Sequence, residues 1–455
     1  MTRVEHRSAE EIGRTEAGPR PLPELGEFGK LTLPDTLDTV LPNGLRVIAA
    51  RHGSVPMVEL RLRIPFAGED RKHPAIAEVL AETMLTGTEQ RDRVKVDTDL
   101  ALVGGDLNVV VDPERLSIAG DALASGLGQL LDVLADALTG AVYRDHEVAG
   151  ERSRLVERIA VARSQPRVIA REELQRRRYG DHPYVREVPQ AEDVAEVTAD
   201  EVRQLHRDAV LPRGSVLVLV GDIDPQQAVA EVERRLDGWR SESSARQLPE
   251  LPRVQGGAVK LVHRPGAVQS QLRFSAQAIP RTDERYPALQ LANLVFGGYF
   301  SSRLVENIRE DKGYTYGAHS AFEFTEGNGT LVVDADTASE VTAAALLETR
   351  YEFARLALVP PTDTEIESAR RYAIGGLMTS TASQAGMAST LISLASHGLD
   401  QNWLVEHPER LQAVTREQVA EAAQLFAPTA FTGVVVGDAD KLADQLQLLG
   451  GVELP

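Results

Sequence analysis

Cysteine is missing from all 455 residues. Disulfides and thiolate metal sites are therefore excluded outright. No stretch comes near the roughly 18 uninterrupted apolar residues that a membrane-spanning helix needs. The first 35 residues are polar, charged and proline-containing, with no apolar core of a secretory signal. The expected address is the cytoplasm. Positive charge is also scarce: 49 Lys and Arg face 68 Asp and Glu, a net charge of −19. Nucleic acid and anionic membranes are thus poor partners, and neutral or basic substrates are better tolerated. The chain has no phosphate-cradling GxxxxGK[ST] loop and no G-x-S-x-G nucleophile elbow. What is present is an ordinary globular balance, 42% hydrophobic and 26% charged, long enough for two or three cores.

The chain repeats itself. VTADEV at 197–202 returns as VTREQV at 414–419, 217 positions on. Val220-Gly221-Asp222-Ile223-Asp224 returns as Val436-Gly437-Asp438-Ala439-Asp440, 216 positions on. In each copy a helix pattern opened by Val-Thr leads to a short apolar strand that ends at Gly-Asp, and a second amphipathic helix comes next. Earlier in each half, VELRLRIP and SQLRFSAQ alternate as half-buried strands do. Each precedes a charged turn, containing His73-Pro74-Ala75-Ile76 or Tyr286-Pro287-Ala288-Leu289, and then a helix. Four echoes in one order indicate a duplication at domain scale, not a solenoid. The boundary is expected in the Ser-, Pro- and Gly-rich residues 241–256, with one domain over 36–240 and the other over 257–455. Residues 1–35 read as an extended lead-in. Consecutive strands around Gly104–Gly120 and Tyr314–Asp336 favour an α+β fold, each domain a mostly antiparallel sheet with helices packed on one face.

Several stretches resemble the pitrilysin/insulinase-like zinc metallopeptidases, in the right order over residues 36–455. Ala75–Thr88 (AIAEVLAETMLTGT) resembles their zinc helix, which carries an inverted H-x-x-E-H signature, and LPNGLRV at Leu41–Val47 resembles their opening strand. HPY at His182–Tyr184 is similar to a mid-domain loop. GGYFSSRL at Gly297–Leu304 and IREDKGYTYG at Ile308–Gly317 resemble the marked segment of the second half.

The departures matter as much. Two histidines at i and i+4 share a helix face and can reach one Zn²⁺, with the intervening carboxylate as base. Laid on that pattern, this chain has Glu78, Ala81 and Glu82. Both nitrogen ligands and the base are gone. The family's further glutamate ligand falls near Glu157 or Arg158, and an arginine there repels a cation. None of the ten histidines lies closer than ten positions to another, so no helix turn presents two. Glu78 and Glu82 read as a like-charged i,i+4 pair on a solvated helix face, and His182 and His319 as structural hydrogen-bonding residues. No metal is expected on this chain.

The resemblance implies that Arg309 and Tyr316, seven apart, match the family's arginine–tyrosine pair, which reaches from the second domain to the zinc site. The tyrosine hydroxyl donates to the scissile carbonyl as it becomes an oxyanion, and the arginine steadies the substrate backbone. Tyr314 is the rival, two residues away on the same expected strand face. Short members of the family pair two chains, one keeping the zinc motif and the other the Arg/Tyr pair. This chain is then expected to be the non-zinc, substrate-binding subunit of a heterodimeric zinc metalloendopeptidase acting on peptides or unfolded segments. A homologous subunit in 1:1 association supplies Zn and the base. The alternative is an inert structural or peptide-binding homologue.

Overall fold

The structure, a computed structural model, describes Gly26, Gly29 and residues 32–455. The expected lead-in over 1–35 lies almost entirely outside the described residues; Thr32–Asp35 run without regular structure into the first strand. Six strands build the first sheet: β1 (Thr36–Val40), β2 (Arg46–Arg51), β3 (Met57–Pro65), β4 (Asp106–Val111), β5 (Arg115–Leu123) and β6 (Val216–Gly221). Six build the second: β7 (Val259–His263), β8 (Gln269–Gln277), β9 (Thr315–Thr325), β10 (Asn328–Ala338), β11 (Thr432–Gly437) and β12 (Val452–Glu453). The spatial orders are β1-β2-β6-β3-β5-β4 and β12-β7-β11-β8-β10-β9. They correspond strand for strand as β2-β6-β3-β5-β4 and β7-β11-β8-β10-β9, the duplication read from the sequence. The outermost strand differs: it comes from the start of the chain in one sheet and from its end in the other.

Each sheet is mixed, with antiparallel pairs predominating. β6 pairs parallel to β2, and β11 parallel to β7, because the chain returns through long helical crossovers. On β3 the alternation is strict: Val58, Leu60, Leu62 and Ile64 have no exposed surface. Each such side chain contributes roughly 1.5–3 kcal/mol to folding. The Val-Thr echoes are helix starts. Thr198 and Glu201 form one reciprocal capping box, and Thr415 and Gln418 its copy.

Six helices position the candidate site and join the halves: α1 (His73–Thr83), α2 (Asp145–Arg163), α3 (Pro166–Tyr179), α4 (Tyr286–Asn293), α5 (Asp363–Ser380) and α6 (Gln384–Ser396). Two of them cross between the halves. α3 packs on β8 and β11 of the second sheet, with Ala170 and Leu174 against Val434 and Val436. Its Arg178 has 2% of its side chain exposed and bonds Glu323 at 2.7 Å and Thr330 at 3.1 Å. In return α6 packs on β3 and β6 of the first sheet, where Gln384 donates to the Val55 carbonyl at 2.9 Å. Residues 32–455 are accordingly one compact unit, and the segment 241–256 has no helix or strand.

Candidate functional site

Pro74 opens α1 at its first turn, and the helix buries Ala75, Val79 and Leu80 against the first sheet. Glu78 and Glu82 take the other face. Glu82 is not free in water: Arg158, on α2, donates to it at 2.5 Å. The residue brought to the helix is Arg158, 76 positions beyond Glu82, and it carries a positive charge. Glu78 sits in a narrow pocket with His73, Asp112, Arg186 and Glu187. Burial, and then the neighbouring Glu82 charge, push its carboxyl up to about 7. The expectation of a solvated acidic pair is thus corrected. One acid is ion-paired and the other is poised to hold a proton.

The family's zinc does not fit these residues. Neither Glu78 nor Glu82 offers an imidazole nitrogen, the Arg158 charge on Glu82 repels a divalent ion, and Ala81 offers no base. Among the described residues one cluster has metal-ligand spacing, namely His263, Asp438 and Asp440 at the end of β7. It contains a single histidine, whose Nδ1 already accepts the Ala439 N–H at 3.0 Å, and Lys441 lies 3.5 Å from Asp438. Neither favours a cation. His182 is structural as expected: Nε2 bonds the Pro249 carbonyl at 2.9 Å, and Nδ1 accepts the Tyr184 N–H at 3.1 Å.

The second half holds the other candidates. Arg309 lies on a π-helical turn, Glu306–Asp311, which leads through Gly313, at φ +64°, into β9. The Gly313 N–H bonds the Arg309 carbonyl at 3.1 Å and the Tyr314 N–H bonds the Ile308 carbonyl at 2.8 Å, closing the turn. Among the described residues β9 is an edge of its sheet, bonded to β10 alone. Its pairing slips at the start: Ala335 faces Ala318 but Thr337 faces Thr315, so Tyr316 and Gly317 together oppose Asp336. The Thr315 hydroxyl pins this bulge, donating to the Asp336 carbonyl at 2.6 Å and accepting the Gly317 N–H at 3.0 Å. A bulge re-aims the side chain it carries. Tyr316 accordingly stands 97% exposed.

Tyr314 does not share its face. It precedes β9 and packs against the second core, which corrects the alternation expected between the two tyrosines. Arg309 is a third exposed, bonds Glu310 at 3.1 Å and stacks over the Phe300 ring at 4.6 Å. Arg309 and Tyr316 are thus carried on one continuous turn and edge strand, and no hydrogen bond joins them among the described residues. The role of Phe300 was missed in the sequence, although it lies inside the GGYFSSRL stretch. Only its position nine residues before an arginine that must be held could have signalled it.

Two sheets of matching topology, an acid-bearing helix in the first half and an arginine–tyrosine segment at the sheet edge of the second define a duplicated, metallopeptidase-like fold. Residues 65–192 match the family model "Insulinase (Peptidase family M16)", and residues 196–372 match "Peptidase M16 inactive domain". The chain belongs to this M16, insulinase-like family. An uncharacterized zinc protease of Streptomyces coelicolor is 27% identical over 299 residues, 64% of each chain. The uncharacterized zinc protease YmxG of Bacillus subtilis is 26% identical, over 84% of this chain and 94% of that one. Among solved structures, a peptidase M16 inactive domain from Pseudomonas fluorescens superposes with a TM-score of 0.80 at 22% identity, covering 89% of this chain and 98% of the other. The periplasmic protease PqqL of Escherichia coli has a TM-score of 0.75 at 17% identity. There 94% of this chain covers 50% of the larger protein.

Proposed function

We propose that this chain is the substrate-binding, zinc-less subunit of a two-chain M16 peptidase, with two homologous domains over 36–240 and 257–455. The observation that carries the reading is the asymmetry between its halves. Arg158 neutralises Glu82 on the helix that resembles the zinc helix, whereas Tyr316 is thrown clear of the edge strand by a pinned bulge. A structural scaffold has no need of an exposed phenol on a pinned bulge that follows a held guanidinium on the same segment. The fit to half of PqqL supports the idea that a second chain of this size completes the assembly.

In this reading the partner is a homologous H-x-x-E-H subunit, which brings the zinc and the base. This chain's own residues bind and polarise. An extended peptide adds to the free edge of β9 by main-chain pairing, Arg309 steadies its backbone, and the Tyr316 hydroxyl donates to the carbonyl oxygen as negative charge builds on it. The exposure of Tyr316 in the free chain leaves its donor available when the peptide arrives. The test is to mix the purified chain with a zinc-bearing homologue and follow cleavage of a quenched fluorescent peptide. Activity that appears only on mixing supports the reading; equal activity of the zinc subunit alone overturns it.

A further inference from the structure

The loop between a π-helical turn at Leu294–Gly298 and the one at Glu306–Asp311 is held more firmly than a passive connection requires. Tyr299 stacks on Tyr372 of α5 with ring centres 5.2 Å apart. Arg303 is 5% exposed and grips Glu365 with both arms of its guanidinium, at 2.6 and 3.0 Å, while donating to the Val359 carbonyl at 3.0 Å. Although burial pushes the Glu365 carboxyl up, these bonds and those from Thr362 hold it down at about 2, so the pair stays charged at any working pH. Asn307, at the foot of the second turn, donates to Glu352 at 2.7 Å and to Glu348 at 3.0 Å. Between these anchors Phe300 points outward, 60% exposed.

Single exposed apolar side chains are ordinary and need no explanation. Phe300 differs because its backbone is pinned on both sides and one edge of its surroundings is already taken by the Arg309 guanidinium. The ring and the guanidinium make a small, flat platform beside the start of β9. Glu310, on the same turn, pairs with Arg309 at 3.1 Å, so the guanidinium beside the ring is already neutralised. Such a surface accepts an aliphatic or aromatic side chain and rejects a carboxylate.

We propose that Phe300 is a specificity-determining contact, forming with the stacked Arg309 a subsite for one apolar side chain of the bound extended peptide. This rests on the reading of Arg309 and Tyr316 as substrate contacts, and the test separates the two. Binding of fluorescent peptides that differ by leucine or glutamate at single positions is measured on the chain itself by anisotropy, without a partner. At one position the leucine peptide should bind about tenfold more tightly, the discrimination usual for one apolar side chain. Phe300→Ala should bring that ratio near unity and Phe300→Tyr should keep it. A ratio unchanged in Phe300→Ala, a uniform loss for both peptides, or no measurable binding of either overturns the proposal. Arg309→Ala should weaken both peptides, through the lost backbone contact, and lower the ratio as well, because it removes one side of the platform. If it changes neither while Phe300→Ala still abolishes the ratio, the Phe300 subsite stands and the reading of Arg309 fails.

Discussion

The helix α1 and its counterpart α4 occupy equivalent places in the two halves, and their outer faces have opposite chemistry. Counting from the shared Pro-Ala of each helix start, Glu78 and Glu82 correspond to Leu291 and Val295, both essentially buried. The second half has closed this face with apolar packing. The first half keeps a polar cleft there and fills it with its own charges, Arg158 on Glu82 and a proton on Glu78. At the strand edges the contrast reverses. β9 exposes a bulged tyrosine almost completely, and the turn leading into it carries a guanidinium stacked on a ring. The first site meets its acids with its own cation, whereas the second leaves the Tyr316 side chain open to an incoming group. That contrast favours the second half as the place where substrate binds.

The largest expected effect falls on Tyr316. In an active mixed complex, Tyr316→Phe should lower kcat by about 10²–10³, the loss typical of one oxyanion donor, with assembly intact. Tyr314→Phe is the control. Its ring packs on the core, so steady-state assays should show a much smaller change in kcat. Losses reversed between the two tyrosines would show that the bulge does not select the donor.

A second prediction asks whether the halves stand apart or act as one body. Arg178 reaches from α3 into the second sheet, and Arg178→Ala should destabilise the whole chain by roughly 2 kcal/mol, less than for a fully buried pair because Glu323 can rehydrate. A single cooperative denaturation with a lowered midpoint is expected. Two separated transitions would mean that the exchanged helices do not bind the halves together.

The third concerns Glu78. Its carboxyl is raised in the folded chain, so the folded state holds a proton that the unfolded chain gives up between about pH 4.5 and 7. Stability therefore falls as pH rises through that window and levels off above it. Glu78→Gln should remove the fall, adding roughly 2–3 kcal/mol at pH 8 and nearly nothing at pH 4. Urea midpoints of both proteins across that range check it; parallel curves would mean the acid is not desolvated.

The smallest effect is at Arg158. Its side chain is more than half exposed, so Arg158→Ala should cost only about 0.5–1 kcal/mol. The sharper readout is metal: removing the built-in cation should leave the acid pair better able to take up a divalent ion, seen as a higher metal content after dialysis. No change in either would make the pair incidental.

The sequence made the duplication legible because its echoes are caps and strand ends, which local chemistry dictates: Thr198 with Glu201, Thr415 with Gln418. It also displayed the missing ligands at Glu78, Ala81 and Glu82. It could not show the exchange of α3 and α6, since each helix is amphipathic whichever sheet it covers. Alternation misplaced Tyr314 because a bulge breaks the period of two, and its only local sign was Thr315 before a glycine-flanked tyrosine. The environment of Glu78 and Glu82 was misread as solvent because Arg158 lies 76 residues away. Contacts across that separation have no periodic signature.

The central claim is that metal and substrate contacts reside on different chains. It is tested most directly by measuring zinc and peptide cleavage for this chain alone, for a zinc-bearing homologue alone, and for the two mixed. The account predicts no stoichiometric zinc and no cleavage from this chain, and cleavage on mixing that is lost with Tyr316→Phe. Near one zinc per chain here, removable by chelator with loss of activity, would contradict it.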